Sequence, residues 1–111
     1  MSVLSLPVVY EVDLWVDAAI ADEYRAWLPT HVLELLALPG FLDARIFDVL
    51  EPVASDNEIA LCVQYTLRDR AALDEYLRLH ASRLRAEGIA RFGGRFRAQR
   101  RVLAGTGNPP E

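Results

Sequence analysis

Val8-Val9-Tyr10-Glu11-Val12-Asp13-Leu14-Trp15-Val16 sorts its side chains by alternation, with Tyr10, Val12, Leu14 and Val16 on one side and Val9, Glu11, Asp13 and Trp15 on the other. A period of two is that of a β-strand with one apolar face and one polar face. Asp17 follows where a helix N-cap belongs, and Ile20, Tyr24, Trp27, Leu28, His31, Leu35 and Leu38 then recur at helical spacing. Pro29 predicts a kink or a restarted helix, because proline lacks an N–H and crowds the preceding turn. Pro39-Gly40 predicts the stop.

Working outward, Phe41 to Leu50 reads as a second strand, with Leu42, Ala44 and Ile46 opposed to Asp43, Arg45, Phe47 and Val49. After the polar loop Glu51 to Glu58, a third strand runs from Ile59 to Leu67, its Leu61, Val63 and Tyr65 opposed to Cys62, Gln64 and Thr66. Asp69 predicts the cap of a second helix, striped by Leu73, Tyr76, Leu77, His80 and Leu84 and stopped at Gly88. Phe92-Gly93-Gly94 turns into a last strand, Arg95 to Leu103, in which Phe96, Ala98 and Val102 oppose Arg97, Gln99 and Arg101. Two β-α-β halves joined by a loop are the split β-α-β pattern of an α+β, ferredoxin-like β-α-β-β-α-β fold. Residues 1–103 are expected to form one domain, and 104–111 a disordered tail.

In such a fold both helices cover one face of a four-stranded antiparallel sheet and leave the other bare. The bare face is expected to carry Glu11, Asp13, Trp15, Arg45, Phe47, Cys62, Gln64, Arg97, Gln99 and Arg101. With the first strand between the last and the third, Glu11 and Asp13 are expected to oppose Arg97 and Arg101.

Composition narrows the chemistry. With 52% hydrophobic and 25% charged residues the chain has the makeup of a folded domain rather than a disordered one. All 12 basic residues are arginines, so lysine-imine chemistry and the P-loop lysine are excluded. Eleven acids precede residue 61 against Arg25 and Arg45, whereas residues 81–103 hold seven arginines against Glu87. The overall pI near 5.1 argues against a nucleic-acid binder, and cross-strand pairing accounts for the gradient. Met1 to Pro7 has no basic residue ahead of its apolar stretch, and no apolar run approaches the ~20 residues of a bilayer crossing. Neither a leader nor a membrane is expected, and the single cysteine fits the cytoplasm. A domain this small gains stability by self-association, so a homodimer is expected.

His31 and His80 are the only side chains whose ordinary pKa lies near neutrality, and both fall on the apolar stripe of a helix. Each is either a buried histidine satisfied by a neighbour or a general acid or base at a pocket edge. His31 with Glu34 has H-x-x-E spacing but supplies two metal ligands where three are needed, so no metal site is expected. No cofactor is called for; a single axial histidine would suffice for haem, but nothing in the spacing demands it. Arg45, Gln64 and Arg101 have the donor geometry to orient a carboxylate or carbonyl, and with Glu11 they are the candidate ligand-binding residues, or else they serve to satisfy Glu11 and Asp13. Cys62 has no histidine partner on its face, no serine sits in a nucleophile elbow, and Gly93-Gly94 precedes a strand rather than a phosphate-binding helix.

Trp27, His31 and the run Leu35-Leu36-Ala37-Leu38-Pro39-Gly40-Phe41, followed by Ala44-Arg45, resemble the dimeric α/β-barrel superfamily with its EthD-like and antibiotic-biosynthesis-monooxygenase-like members. Leu33 stands where EthD-like members often place a proline two residues after the histidine. From Tyr10 to Leu103 the chain is more similar to a bacterial domain-of-unknown-function family of short proteins. That similarity rests on Tyr10-Glu11-Val12, Pro39-Gly40-Phe41, Cys62-Val63-Gln64-Tyr65, His80-Ala81, Leu84-Arg85, Arg91-Phe92-Gly93 and Arg100-Arg101. The resemblance implies a subunit whose bare sheet face meets its twin to enclose a barrel, with a pocket between sheet and helices. The superfamily spans cofactor-free oxygenases, haem-binding proteins and isomerases, and fold alone selects none. The expectation is a homodimer that takes a small organic molecule, an anionic one included, near His31, Arg45, Gln64 and His80. An oxygenase or isomerase using His31 or His80, and a non-catalytic interaction module, are the alternatives.

Overall fold

A computed structural model describes residues 6–107; Met1 to Ser5 and the last four residues of the expected tail lie outside the described residues. The VVYEVDLWV segment becomes β1 (Val8–Asp17), which is hydrogen-bonded on both sides. The other strands are β2 (Phe41–Asp48), β3 (Glu58–Leu67) and β4 (Phe96–Ala104), and the all-antiparallel order is β2-β3-β1-β4. Ala104, expected in the tail, still pairs with Val8. The alternation does what a period of two must: Tyr10, Leu14 and Val16 of β1 and Leu61, Val63, Tyr65 and Leu67 of β3 are buried together in one core. The core includes Tyr24, Leu28, Val32 and Leu35 of helix α1 (Ala21–Leu36), and the opposite sheet face bears no helix.

Asp17 caps as expected: its side chain accepts from the Ala19 N–H at 2.9 Å and starts a 3-10 turn, Ala18–Ile20, ahead of α1. Of the expected kink or restart, the restart does not occur: α1 continues through Pro29 as one helix. Only one backbone bond is forfeited there, and Tyr24 and Leu28 before it and Val32 and Leu35 after it are buried in the core.

The second helix differs more. It is two helices, α2 (Arg70–Leu79) and α3 (Ala81–Phe92), meeting at His80. Asp69 caps α2 by accepting from Ala72 N at 2.8 Å. Gly88 is inside α3 rather than at its end, and the helix stops at Gly93, whose φ is +61° and whose N–H donates to the Ile89 carbonyl at 2.8 Å. Gly88 answers a different need: a Cβ there would lie 3.3 Å from both Trp27 Cη2 and Phe96 Cζ, so its bare backbone lets α3 approach α1 and β4.

In β2 the register slips between Phe41 and Asp43, which buries Phe41 and turns out Leu42, 60% exposed, where alternation had placed Leu42 inward. Glu11 opposes Arg101 as expected, but Asp13 opposes Gln99 and Trp15 opposes Arg97. The Arg97 guanidinium lies 4.2 Å above the Trp15 ring centroid and 3.5 Å from the Glu58 carboxylate. Among the described residues no helix is long and apolar enough to cross a membrane.

Candidate functional site

Between the core face of the sheet and helices α1 and α3 lies a cavity of about 470 Å3. That is within the range of pockets that enclose small organic ligands, roughly 300–1,000 Å3. Tyr10 of β1, Tyr65 of β3, Tyr24 and Trp27 of α1 and Phe96 of β4 supply its aromatic walls. Tyr24 is the hub, with ring centroids 5.5 Å from Trp27, 4.9 Å from Phe92 and 5.5 Å from Phe96, all tilted. Such tilted packing is favourable between aromatic rings and fixes their orientations.

The polar groups in this wall are few. His31 stacks on Trp27 with centroids 4.5 Å apart and planes 21° from parallel, and its Nδ1 is shielded from solvent with no partner among the described residues. Burial pushes the His31 pKa down, against a weaker upward pull from Glu34, so the ring is neutral at pH 7. Arg85 donates to the Tyr10 hydroxyl at 3.0 Å while its Nε is buried and unpartnered. Arg97, paired with Glu58, and Arg100 also line the cavity, and among the described residues no Asp or Glu does. Burial pushes the Tyr24 and Tyr76 hydroxyls up to about 12 and that of Tyr65 higher still, so all three remain protonated donors.

The sheet separates the expected site residues. Glu11, Gln64, Arg101 and Arg45 lie on the face away from the cavity, because β1 and β3 send alternate residues to opposite sides. There Glu11, 4% exposed, accepts from Gln64 Nε2 at 3.0 Å and from Arg101 Nε at 2.8 Å. Burial raises the Glu11 carboxyl, but these two donors outweigh it and hold it below its ordinary value. Asp13 moves the other way: burial dominates, the Cys62 hydrogen bond opposes it, and the Glu11 charge adds to it. Cys62 is pushed up to about 12 by burial and by Asp13 and Glu11, which leaves it a neutral thiol. Arg45 opposes Gln64 in register and is exposed. His80 is half-buried at the α2–α3 junction, its Nδ1 3.3 Å from Arg83, and does not line the cavity.

Residues 7–106 match the family model DUF4286, a domain of unknown function. The chain belongs to the DUF4286 family. No curated protein matches it. Solved structures that share the fold include SnoaB, a cofactor-independent oxygenase from Streptomyces nogalater, with a TM-score of 0.66 at 13% identity, covering 94% of this chain and 98% of that one. Rv0793 from Mycobacterium tuberculosis has a TM-score of 0.65 at 20% identity over 94% of this chain and 99% of its own. A protein from Nitrosomonas europaea assigned to the antibiotic biosynthesis monooxygenases has a TM-score of 0.64 at 12% identity over 92% of both chains. At these identities the likeness is one of fold, ferredoxin-like α+β.

In this DUF4286 protein the cavity draws on residues that sequence alone did not single out. Arg100 continues the inward series Phe96, Ala98 and Val102, so strict alternation through β4 would have placed it on the helix side. Arg85 lies one position past the core residue Leu84, and only the approach of α3 to β1 directs it at Tyr10. Glu87 carries no sequence signal at all, yet the packing brings it to His31 and Glu34.

Proposed function

We propose that this protein binds a flat small organic molecule carrying an anionic or carbonyl group in the cavity between sheet and helices, and that it does so as a homodimer in the cytoplasm. The observation that carries this reading is the lining: aromatic walls, two arginines without a carboxylate beside them, and the unpartnered His31 Nδ1. A buried guanidinium nitrogen with no acceptor costs free energy unless a ligand supplies one. Aromatic faces suit a planar apolar body, and Arg85 offers the donor for its charged or carbonyl end.

The uncovered sheet face supports dimerisation. It holds the buried Glu11 and Cys62 together with exposed Phe47 and Leu103, and aromatic and aliphatic side chains of this kind centre on subunit interfaces. The lone cysteine fits a reducing compartment.

The test is a thermal-shift and calorimetric screen against aromatic carboxylic acids, phenols, quinones and haem, with sedimentation run in parallel. Binding by at least one planar anion is expected, and Ala98→Phe, which sends a ring into the cavity from β4, is expected to abolish it. The reading fails if nothing binds, or if binding persists unchanged in Ala98→Phe; a monomer in sedimentation removes the dimer. A folded dimer that binds nothing would point to the non-catalytic interaction module.

A second reading rests on His31. A neutral imidazole at a cavity wall is a competent proton acceptor for a bound phenol or an acidic C–H, the first step of an isomerase or a cofactor-free oxygenase. It requires that any activity found be lost in His31→Ala; persistence there would leave binding alone.

A further inference from the structure

Behind the cavity wall, α1 and α3 bring three metal-ligating side chains together. His31 and Glu34, three residues apart on α1, share one helix face, and Glu87 reaches them from α3; one donor atom from each lies within 4.8 Å of the others. The H-x-x-E spacing had two ligands, and the packing of α3 supplies the third. We propose that His31, Glu34 and Glu87 form a binding site for one divalent transition-metal cation of the zinc class, bordering the cavity through His31.

The chemistry of the donors carries this. One imidazole and two carboxylates is a ligand set that zinc accepts, and three protein ligands leave a fourth position open to water or a ligand. A tetrahedral ion with bonds near 2.1 Å needs donors roughly 3.4 Å apart. The 4.8 Å envelope therefore has to tighten by little more than an ångström, which the exposed Glu34 side chain can supply by rotation.

The electrostatics point the same way. Glu34 and Glu87 face each other, and among the described residues no arginine forms an ion pair with either. Two apposed carboxylates with no cation between them are stabilised by one that enters. The ring of His31 is held by its stack on Trp27, so the imidazole is oriented before an ion arrives. The three groups are also independent of the Glu11–Asp13–Cys62 cluster, which lies across the sheet and is already engaged by Gln64 and Arg101.

This inference does not depend on the cavity's ligand, but it excludes His31 as the proton acceptor of the second reading, because an imidazole bound to zinc through one nitrogen and protonated on the other has no lone pair to offer. The test is calorimetric titration of the metal-free full-length protein with Zn2+, with Mg2+ as control, on wild type, Glu34→Gln, Glu87→Gln, His31→Gln and Cys62→Ser, each first checked for folding by circular dichroism. One zinc ion per chain is expected, with little response to Mg2+, which prefers an all-oxygen octahedral shell. Each substitution in the triad should weaken zinc by at least the roughly 10–100-fold that loss of even an outer-shell partner costs, whereas Cys62→Ser should bind as wild type does. The Trp27 stack gives a second readout, a zinc-dependent change in tryptophan emission lost in Glu87→Gln. Absence of saturable zinc binding, undiminished affinity in Glu34→Gln and Glu87→Gln, or loss in Cys62→Ser alone would each overturn the assignment, and none of these bears on whether the cavity takes an organic ligand.

Discussion

Gly40 is the position at which one added methyl group tests the fold most sharply. It follows the end of α1, has φ +87°, and its carbonyl accepts from Arg68 N at 2.8 Å, which ties the start of β2 to the end of β3. In Gly40→Ala two costs combine. An L-residue in the left-handed region loses about 1–2 kcal/mol. The new Cβ would also be driven into the Ala72 Cβ of α2, which is 4% exposed and has nowhere to move; overpacking of this kind costs about 1–3 kcal/mol. The sum is about 3 kcal/mol, which for a domain near 100 residues lowers Tm by about 15 °C. The two parts separate in a double-mutant cycle. Ala72→Gly alone loses about 1 kcal/mol of helix propensity, but in the Gly40→Ala background it removes the atom that is struck. The double variant should therefore be more stable than the summed singles by about 1–3 kcal/mol. Urea and thermal unfolding of the four proteins measure this. A loss below about 1 kcal/mol in Gly40→Ala, or strict additivity in the cycle, would refute the close packing of this turn on α2.

Two further outcomes follow from the sheet face. The folded protein holds the Asp13 proton more tightly than the unfolded chain does, so ionised Asp13 opposes folding as pH rises above its ordinary 3.8 and the effect is complete once pH exceeds the raised folded value. Asp13→Asn should accordingly raise the unfolding free energy measured in urea at pH 7, by less than about 1 kcal/mol, and the gain should vanish by pH 3; an equal gain at both values would show that charge is not its cause. Cys62, 8% exposed and with its thiol pushed up to about 12, should react with a thiol reagent at pH 8 far more slowly in the native protein than in urea. Native and unfolded rates within ten-fold of one another would contradict its placement.

The features legible along the chain are those that repeat or act locally. The period of two in Val8 to Val16 and in Ile59 to Leu67 set which side of each strand meets the helices, and Asp17 and Asp69 marked where the chain turns into a helix, because caps and alternation are local. Locality also explains the errors. The slip at Leu42, where β2 pairs with β3, and the use of Gly88 as a point of close approach to Trp27 and Phe96 each depend on a neighbour distant in sequence. The candidate site belongs to the same class. His31 stood out from its residue type alone, but Arg45, Gln64, Arg101 and Glu11 lie on the far side of the sheet from it, and Arg85 and Glu87 join it only because α3 packs beside α1 and over β1. A cavity is a void between elements, and no spacing within one element encodes it; tertiary packing alone decides which side chains face the same space.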